Sequence, residues 1–329
     1  MILSVTLNPC VHHILAYRGG AEGGVVRTPV RSFFQPGGKG LNASRVAAAL
    51  GAEVTALAPC GGMEGELFLR EVRRSGVRVE PVRIRRPTRF STCLYDLEGG
   101  TFLELLEPGV ELSDEEVEAL FRRFEALLPR ADRVALSGSS PCPRTDAFYG
   151  EAVRAARRAG VPAAVDTYGE ALALAVETGP ELVKVNREEL ARLFGREHLD
   201  DAALVEGARR LRDMGTARLV VTDGARGAWA FEGERAFRIR VPSVREIHAV
   251  GSGDAVFGAL LARLEAGDTL EDACRWGAAA GTVNAGRLEV CAFDPGLVEE
   301  LIPRVTVEAV RTQGSALHGG GSRRSRPLR

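Results

Sequence analysis

Residues 248–262, HAVGSGDAVFGALLA, carry a Gly-Ser-Gly-Asp tetrad into an unbroken apolar run of helix length. Glycines at 251 and 253 let the chain turn sharply, and Asp254 then falls in the first turn of the helix that follows. A helix start offers unpaired N–H groups and a positive dipole end. An aspartate placed there has two readings. It is an ordinary helix-terminal carboxylate, or it is a base beside an anion hole made by the amides of Gly251, Ser252 and Gly253. A cap needs no glycine on both sides of a serine, so the second reading weighs more. An anion hole beside a carboxylate is what transfer of a phosphoryl group to a hydroxyl requires: one stabilises developing charge and the other accepts the hydroxyl proton.

Upstream, short apolar runs alternate with longer amphipathic ones, which argues for parallel strands covered by helices, a doubly wound α/β sheet. Strands are expected at 2–7, 53–58, 133–138, 162–166, 182–186 and 218–222, and helices at 41–50, 65–76, 113–128, 146–160 and 200–215. Ser113 followed by Glu116 is a capping box, and Gly51, Gly76, Gly160 and Gly215 sit where C-terminal caps belong. Two stretches break the rhythm, VVRTPVRSFF (25–34) and RFSTCLYDLEGGTFLELL (89–106), the second reading as two strands joined at Gly99-Gly100. Both read as antiparallel strands of a small β lid, spanning about 10–36 and 86–108, which stands off the main body as a lid or dimer contact. One domain is expected over 1–311. From 312 onward the chain turns glycine-rich and basic without apolar periodicity, and a disordered tail is expected. No repeat of solenoid or propeller period is visible.

Of 329 residues 45% are hydrophobic, enough for an ample core, and 43 basic residues against 44 acidic ones leave a formal net charge of −1. That balance argues against nucleic acid or an anionic membrane surface as partner and favours a small molecule. Six cysteines show neither a C-x-x-C pair nor Cys/His ligand spacing, so neither disulfides nor a zinc site is indicated by the sequence. With no signal-peptide pattern and no run of transmembrane length, a cytoplasmic protein with reduced thiols is expected.

Two further glycine clusters bear on function. PGGKGLN (36–42) lies between a lid strand and a helix, where glycines admit a ligand close to the backbone, Lys39 adds a cation, and Asn42 offers an amide suited to sugar hydroxyls. TDGARGAWAF (222–231) follows a strand and leads into what looks like a hairpin, at the strand end where α/β folds bind ligands. Neither cluster matches a Walker loop or a dinucleotide fingerprint.

PGGKGLNASRVAAALG, KVNREEL and VGSGDAVFGALLA, in that order and separation, resemble the PfkB (ribokinase-like) carbohydrate kinases. TLNP, GGKGLN, Thr88-Arg89, EPG at 107–109, LSGS at 136–139 and DTYGEAL are most similar to the branch of 1-phosphofructokinase, 6-phosphofructokinase and tagatose-6-phosphate kinase. The similarity runs from about residue 1 to about residue 305. It implies a ribokinase-like sheet with a β lid that clasps a homodimer, and an ATP- and Mg2+-dependent transfer of the γ-phosphoryl group to a hydroxyl of a ketohexose phosphate. A monovalent cation is left open. By the resemblance Asp254 is the base and Gly251, Ser252 and Gly253 the anion hole. Asn186 and Glu189 help position Mg2+ and the ATP phosphates, and Lys184 contacts phosphate. Asn186 and Glu189 also read as a capping box, and both readings hold together. Thr222, Gly224 and Gly227 fall in the nucleotide loop, and Asn284 near adenine. For the acceptor, Gly37, Gly38 and Asn42 match the sugar loop, Lys39 reaches the transferred group, and Arg27 and Arg89 match positions that hold the substrate's own phosphate, a task suited to guanidinium forks.

Some positions depart from the branch. His12 stands where an acidic residue usually binds sugar hydroxyls, and an imidazole donates and accepts where a carboxylate only accepts. Asp223 replaces a residue that is usually apolar, and His248 is read as structural. Two alternatives therefore stay open at this point: a kinase for an unphosphorylated sugar, polyol or nucleoside, and a sugar-binding sensor with little chemistry.

Overall fold

In β1 (Ile2–Val5) successive side chains enter different layers: Ile2 joins an apolar cluster on one side of the sheet, Leu3 and Val5 one on the other. This is the period-2 geometry of a strand buried on both faces. The computed structural model describes residues 1–19, 29–292 and 294–310. After β1 come β2 (Cys10–Tyr17), β3 (Arg31–Gly37), α1 (Lys39–Ala49), β4 (Val54–Cys60), α2 (Gly62–Arg74), β5 (Arg78–Arg83), β6 (Arg89–Asp96), β7 (Phe102–Leu106) and α3 (Asp114–Leu127). They are followed by β8 (Arg133–Ser137), α4 (Phe148–Arg158), β9 (Ala163–Asp166), α5 (Gly169–Val176), β10 (Leu182–Asn186), α6 (Arg187–Leu193), α7 (Asp201–Asp213), β11 (Arg218–Thr222), β12 (Ala228–Glu232) and β13 (Arg235–Arg240). The last elements are α8 (Ser252–Glu265), α9 (Leu270–Ala285), α10 (Pro295–Leu301) and β14 (Thr306–Val310).

The main sheet runs in the order β14-β13-β12-β11-β10-β9-β8-β1-β4-β5. It is parallel from β11 to β5, while β12, β13 and β14 continue it antiparallel. Apolar side chains of α1, α2, α8, α9 and α10 share one cluster with the sheet, and those of α3 to α7 share the other. The chain leaves β1 first toward β4 and later returns to β8 on its other side. Between the C-terminal ends of β1 and β8 lies the switch point at which open α/β sheets bind ligands.

The six strands expected for the body appear at their places, extended by β5 and by the antiparallel edge. Helices α5 and α9 were not among those expected. LEDACRWGAAAGTVNA is a small-residue helix buried over most of its surface and so lacks a clear amphipathic period, and GEALALAV is only two turns long and nearly all apolar. Ser113 caps α3 with the reciprocal Glu116 bond, and the four expected cap glycines all have positive φ.

The small sheet has the order β3-β2-β6-β7, and one expectation about it needs correcting. The β2–β3 and β6–β7 pairs are antiparallel, but β2 and β6 run parallel. Between these two strands the chain passes through β3, α1, β4, α2 and β5, a crossover rather than a turn, and so re-enters in the same direction. Of the stretch 25–34, the strand β3 begins at Arg31. Arg27 and the tail from 312 onward lie outside the described residues.

Helices α1 and α8 make an unusually close approach. A Cβ on Gly258 would overlap the Ala43 carbonyl oxygen and lie 2.8 Å from Val46 Cβ. Gly258→Val is expected to lower stability by about 2 kcal/mol, the ordinary cost of overpacking. Chemical denaturation reads this, and an unchanged midpoint would show that the helices separate freely.

Candidate functional site

The cleft is built around two helix starts. Gly251 caps α8 in the left-handed region at φ 78, with no side-chain cap, and a Cβ on Gly253 would sit 2.8 Å from Lys184 Nζ. Glycine is therefore favoured at 251 by backbone angle, while at 253 it leaves room for the Lys184 ammonium. Asp254, in the first turn of α8, is 6% exposed and accepts a hydrogen bond from Asn42 Nδ2 at 2.8 Å. Burial pushes its carboxyl up to about 6; Asp166 adds to the rise, and Lys39, Lys184 and the Asn42 amide oppose it.

The second helix start is that of α1, capped by Gly38 after Gly37 at the end of β3. Lys39 lies 3.3 Å from Glu189 Oε1 and 3.8 Å from Asp166 Oδ1, and stacks over the Tyr168 ring at 5.2 Å. Burial lowers its pKa, but the carboxylates of Asp166, Glu189 and Asp254 outweigh that effect and hold the ammonium charged. Lys184 is 3% exposed and pairs with Asp166 Oδ2 at 3.3 Å. Asn186 caps α6: its Oδ1 accepts from the Glu189 amide at 2.7 Å while Glu189 Oε2 accepts from the Asn186 amide at 2.8 Å. Glu189 therefore caps α6 with one oxygen and faces Lys39 with the other.

One continuous cleft of about 810 Å³ connects these groups. At one end it is lined by His12, Asn42, Arg89 and Asp254; at the other, Val220, Ile239, Val241, Val250 and Ala278 form an apolar slot beside Thr222, Gly224 and Gly227. His12 is 5% exposed, and burial together with Arg45 and Arg89 lowers it to about 4, so its imidazole is neutral. A Cβ on Gly37 would overlap that imidazole, which explains glycine there. Arg89 donates from Nη1 to the Glu107 carbonyl at 2.8 Å and from Nη2 to that of Asn8 at 3.4 Å, leaving its buried Nε without a hydrogen-bond partner.

Asn284 requires a correction. Expected near adenine, it is fully buried: its Nδ2 donates to the Val250 carbonyl at 2.8 Å and to Ser252 Oγ at 3.1 Å, and its Oδ1 accepts from the Cys291 amide at 2.7 Å. Its amide braces the start of α8 with both ends engaged by protein, and the side chain is closed off from the cleft. Asp223 is held by Arg187 at 3.0 Å and Arg226 at 2.8 Å. His248 packs against Tyr95 and Phe102. The cleft also takes in Asn8, Ser139, Asp166 and Tyr168, which lie in the motifs TLNP, LSGS and DTYGEAL without a role assigned to them, and Glu104, which no motif marks. Asp166 carries a further signal, an acid at the C-terminal end of a parallel strand.

The residues present fit a nucleoside triphosphate and a divalent cation. The slot accepts a planar base, two helix N-termini and two lysines face the phosphate region, and the buried Asn42 Oδ1 has no hydrogen-bond partner. A family model described as pfkB family carbohydrate kinase matches residues 5–295. This chain belongs to that family. As a pfkB carbohydrate kinase it is a phosphotransferase with an alcohol acceptor, and the family's chemistry implies ATP and a divalent metal. It is 30% identical over 307 residues to a 1-phosphofructokinase of Bacillus subtilis, covering 93% of this chain and 99% of that one. It is 32% identical over 269 residues to the ATP-dependent 6-phosphofructokinase isozyme 2 of Escherichia coli, covering 79% and 85%. The solved phosphofructokinase-2 of Escherichia coli in complex with potassium superposes with a TM-score of 0.85 at 28% identity, covering 92% of this chain and 98% of that one. Among the described residues no helix is long and apolar enough to cross a membrane.

Asn284→Ala is expected to cost about 2 kcal/mol without any nucleotide, because the Val250 carbonyl and Cys291 amide lose their partner. Unchanged stability with a raised KM for ATP would return Asn284 to the nucleotide site.

Proposed function

We propose that this kinase transfers the γ-phosphoryl group of ATP to a hydroxyl of a ketohexose phosphate such as fructose 1-phosphate, fructose 6-phosphate or tagatose 6-phosphate. The observation that carries this reading is the convergence of Asp254, the N-termini of α1 and α8, and the two lysines in the cleft that also holds Arg89. When bound, MgATP supplies an electrophilic phosphoryl group and a cation that screens its charge. Asn42 orients the Asp254 carboxylate, which accepts the proton of the attacking hydroxyl. The amides of Gly251 and Gly253 donate to the charge that develops on the transferred group, whereas that of Ser252 already donates to the Ala249 carbonyl at 3.1 Å and holds the turn. Lys39 and Lys184 balance that charge, while Asn186 and Glu189 hold Mg2+ indirectly. Arg89, with Arg27 outside the described residues, grips the phosphate already on the sugar. His12, being neutral, both donates and accepts toward sugar hydroxyls.

The identities of the two relatives named above support a phosphorylated acceptor, and the potassium bound to the solved neighbour supports a monovalent-cation requirement. The outer face of the small sheet supports a homodimer: Leu103 and Leu105 are each more than half exposed on one edge strand, and Phe34 lies on the same face at the opposite edge.

ADP release over the three sugar phosphates and the corresponding free sugars tests the reading. Turnover confined to phosphorylated acceptors is expected, and turnover with free sugars alone would sink it. Asp254→Asn is expected to lower kcat by about 10²- to 10⁴-fold, the usual worth of a general base. In the wild type the base is active as the carboxylate, so kcat/KM is expected to fall about tenfold per pH unit below about 6 and to plateau above it. Arg89→Ala is expected to raise KM for the phosphosugar by about 10- to 100-fold, as loss of charged hydrogen bonds does. Replacing Leu103 and Leu105 with aspartate is expected to give monomers in sedimentation velocity.

A further inference from the structure

The lid brings together three ligating side chains that no sequence motif joins. Pairing of β6 with β7 sets Cys93 directly opposite Glu104, and pairing of β2 with β6 sets His12 opposite Ser91, two residues from Cys93 on the same face. All three therefore project from the cleft side of the small sheet. One ligand atom from each, His12 Nδ1 or Nε2, Cys93 Sγ and a Glu104 carboxylate oxygen, lies within 4.8 Å of the others, and His12 Nδ1 stands 3.8 Å from Cys93 Sγ.

We propose that His12, Cys93 and Glu104 form a binding site for a thiophilic divalent cation of the Zn2+ class at the lid end of the cleft. Tetrahedral Zn2+ with bonds of about 2.0 to 2.3 Å sets its ligands about 3.5 Å apart. The His12–Cys93 pair is already near that spacing, and small side-chain rotations bring Glu104 in. The donor set decides the metal: one thiolate, one imidazole and one carboxylate suit Zn2+ or Co2+, whereas Mg2+ takes oxygen ligands and retains its waters. Ser91 Oγ donates to Glu104 Oε1 at 2.6 Å and orients the carboxylate from behind, as outer partners of metal ligands do. Cys93 is fully buried and His12 nearly so. Without metal the thiol stays protonated, since burial and Glu104 push it up to about 11, and the imidazole stays neutral. A bound cation reverses this preference by forming the Sγ–metal bond as the thiol proton leaves to solvent.

Three protein ligands leave a fourth position. His12 and Glu104 both line the cleft beside Arg89, so that position opens toward the acceptor end. Provided the acceptor binds there, as proposed above, an occupied cation site competes with the sugar.

The test is a titration of Co2+ into the reduced, untagged full chain, with excess Mg2+ and no sugar or nucleotide. One Co2+ per chain is expected, with thiolate-to-cobalt charge-transfer absorption, release of one proton, and displacement by Zn2+. Cys93→Ser is expected to abolish the absorption and weaken Zn2+ binding at least tenfold. Glu104→Gln, at a half-buried lid position that tolerates the change, is expected to keep the absorption and bind about tenfold more weakly. Cys142→Ser, outside the cleft, is expected to match the wild type. Absence of the absorption in the wild type, its survival in Cys93→Ser, or undiminished affinity in Glu104→Gln overturns the proposal. Because neither sugar nor ATP is present, a failed titration leaves the kinase reading intact, and a failed kinase assay leaves the titration intact.

Discussion

The close contact of α1 with α8 sets the geometry on which the rest of the cleft depends. Gly258 lets α8 lie against the backbone of Ala43, and this approach brings Asn42 within 2.8 Å of Asp254. Two positive helix ends then face one volume. Within it Asp254, Asp166 and Glu189 stand against Lys39 and Lys184, three carboxylates to two ammoniums. Burying an unbalanced set is costly, and the helix N-termini offset part of that cost. The compromise appears in Asp254 itself, a carboxyl raised by burial yet still ionised at neutral pH, the state a base needs.

Around that centre the supporting residues hold the geometry rather than contact a ligand. Asn284 spends both ends of its amide on Val250, Ser252 and Cys291, which fixes the left-handed turn that starts α8. Glu189 caps α6 and faces Lys39 at once, tying the β10–α6 corner to the start of α1. The lid enters directly from β1 through β2 and leaves through β3 into α1, so the elements that carry His12 and Lys39 are continuous with the sheet. On the inner face of the lid His12, Ser91 and Glu104 lie beside an apolar cluster of Ile14, Cys93 and Tyr95, while Leu103 and Leu105 face outward.

Legibility in the sequence followed the range of the interaction. Gly251 and Gly253, the Asn186–Glu189 box and the cap of α3 are local devices, written within four residues of chain, and each appears where its spacing pointed. Asn284 was misassigned because its partners are 32 and 34 residues upstream and 7 residues downstream. The position of Asp166 at the end of a parallel strand is legible, but its partner is not, because Lys184 comes from the neighbouring strand. Helices α5 and α9 are hard to read for a different reason: α9 is buried over most of its surface and α5 is two turns of nearly all apolar residues, so neither carries a clear polar stripe.

The sequence by itself determined the alternating α/β order, the two glycine-cradled helix starts and the carboxylate at one of them, since backbone conformation and capping are settled by residues adjacent in the chain. Only the tertiary structure decided that Asp254 meets Asn42 from 212 residues away, that the lid pairs in parallel, and that His12, Cys93 and Glu104 share one face. Those outcomes depend on strand register and on how closely two helices approach, and both are set by packing across the whole sheet.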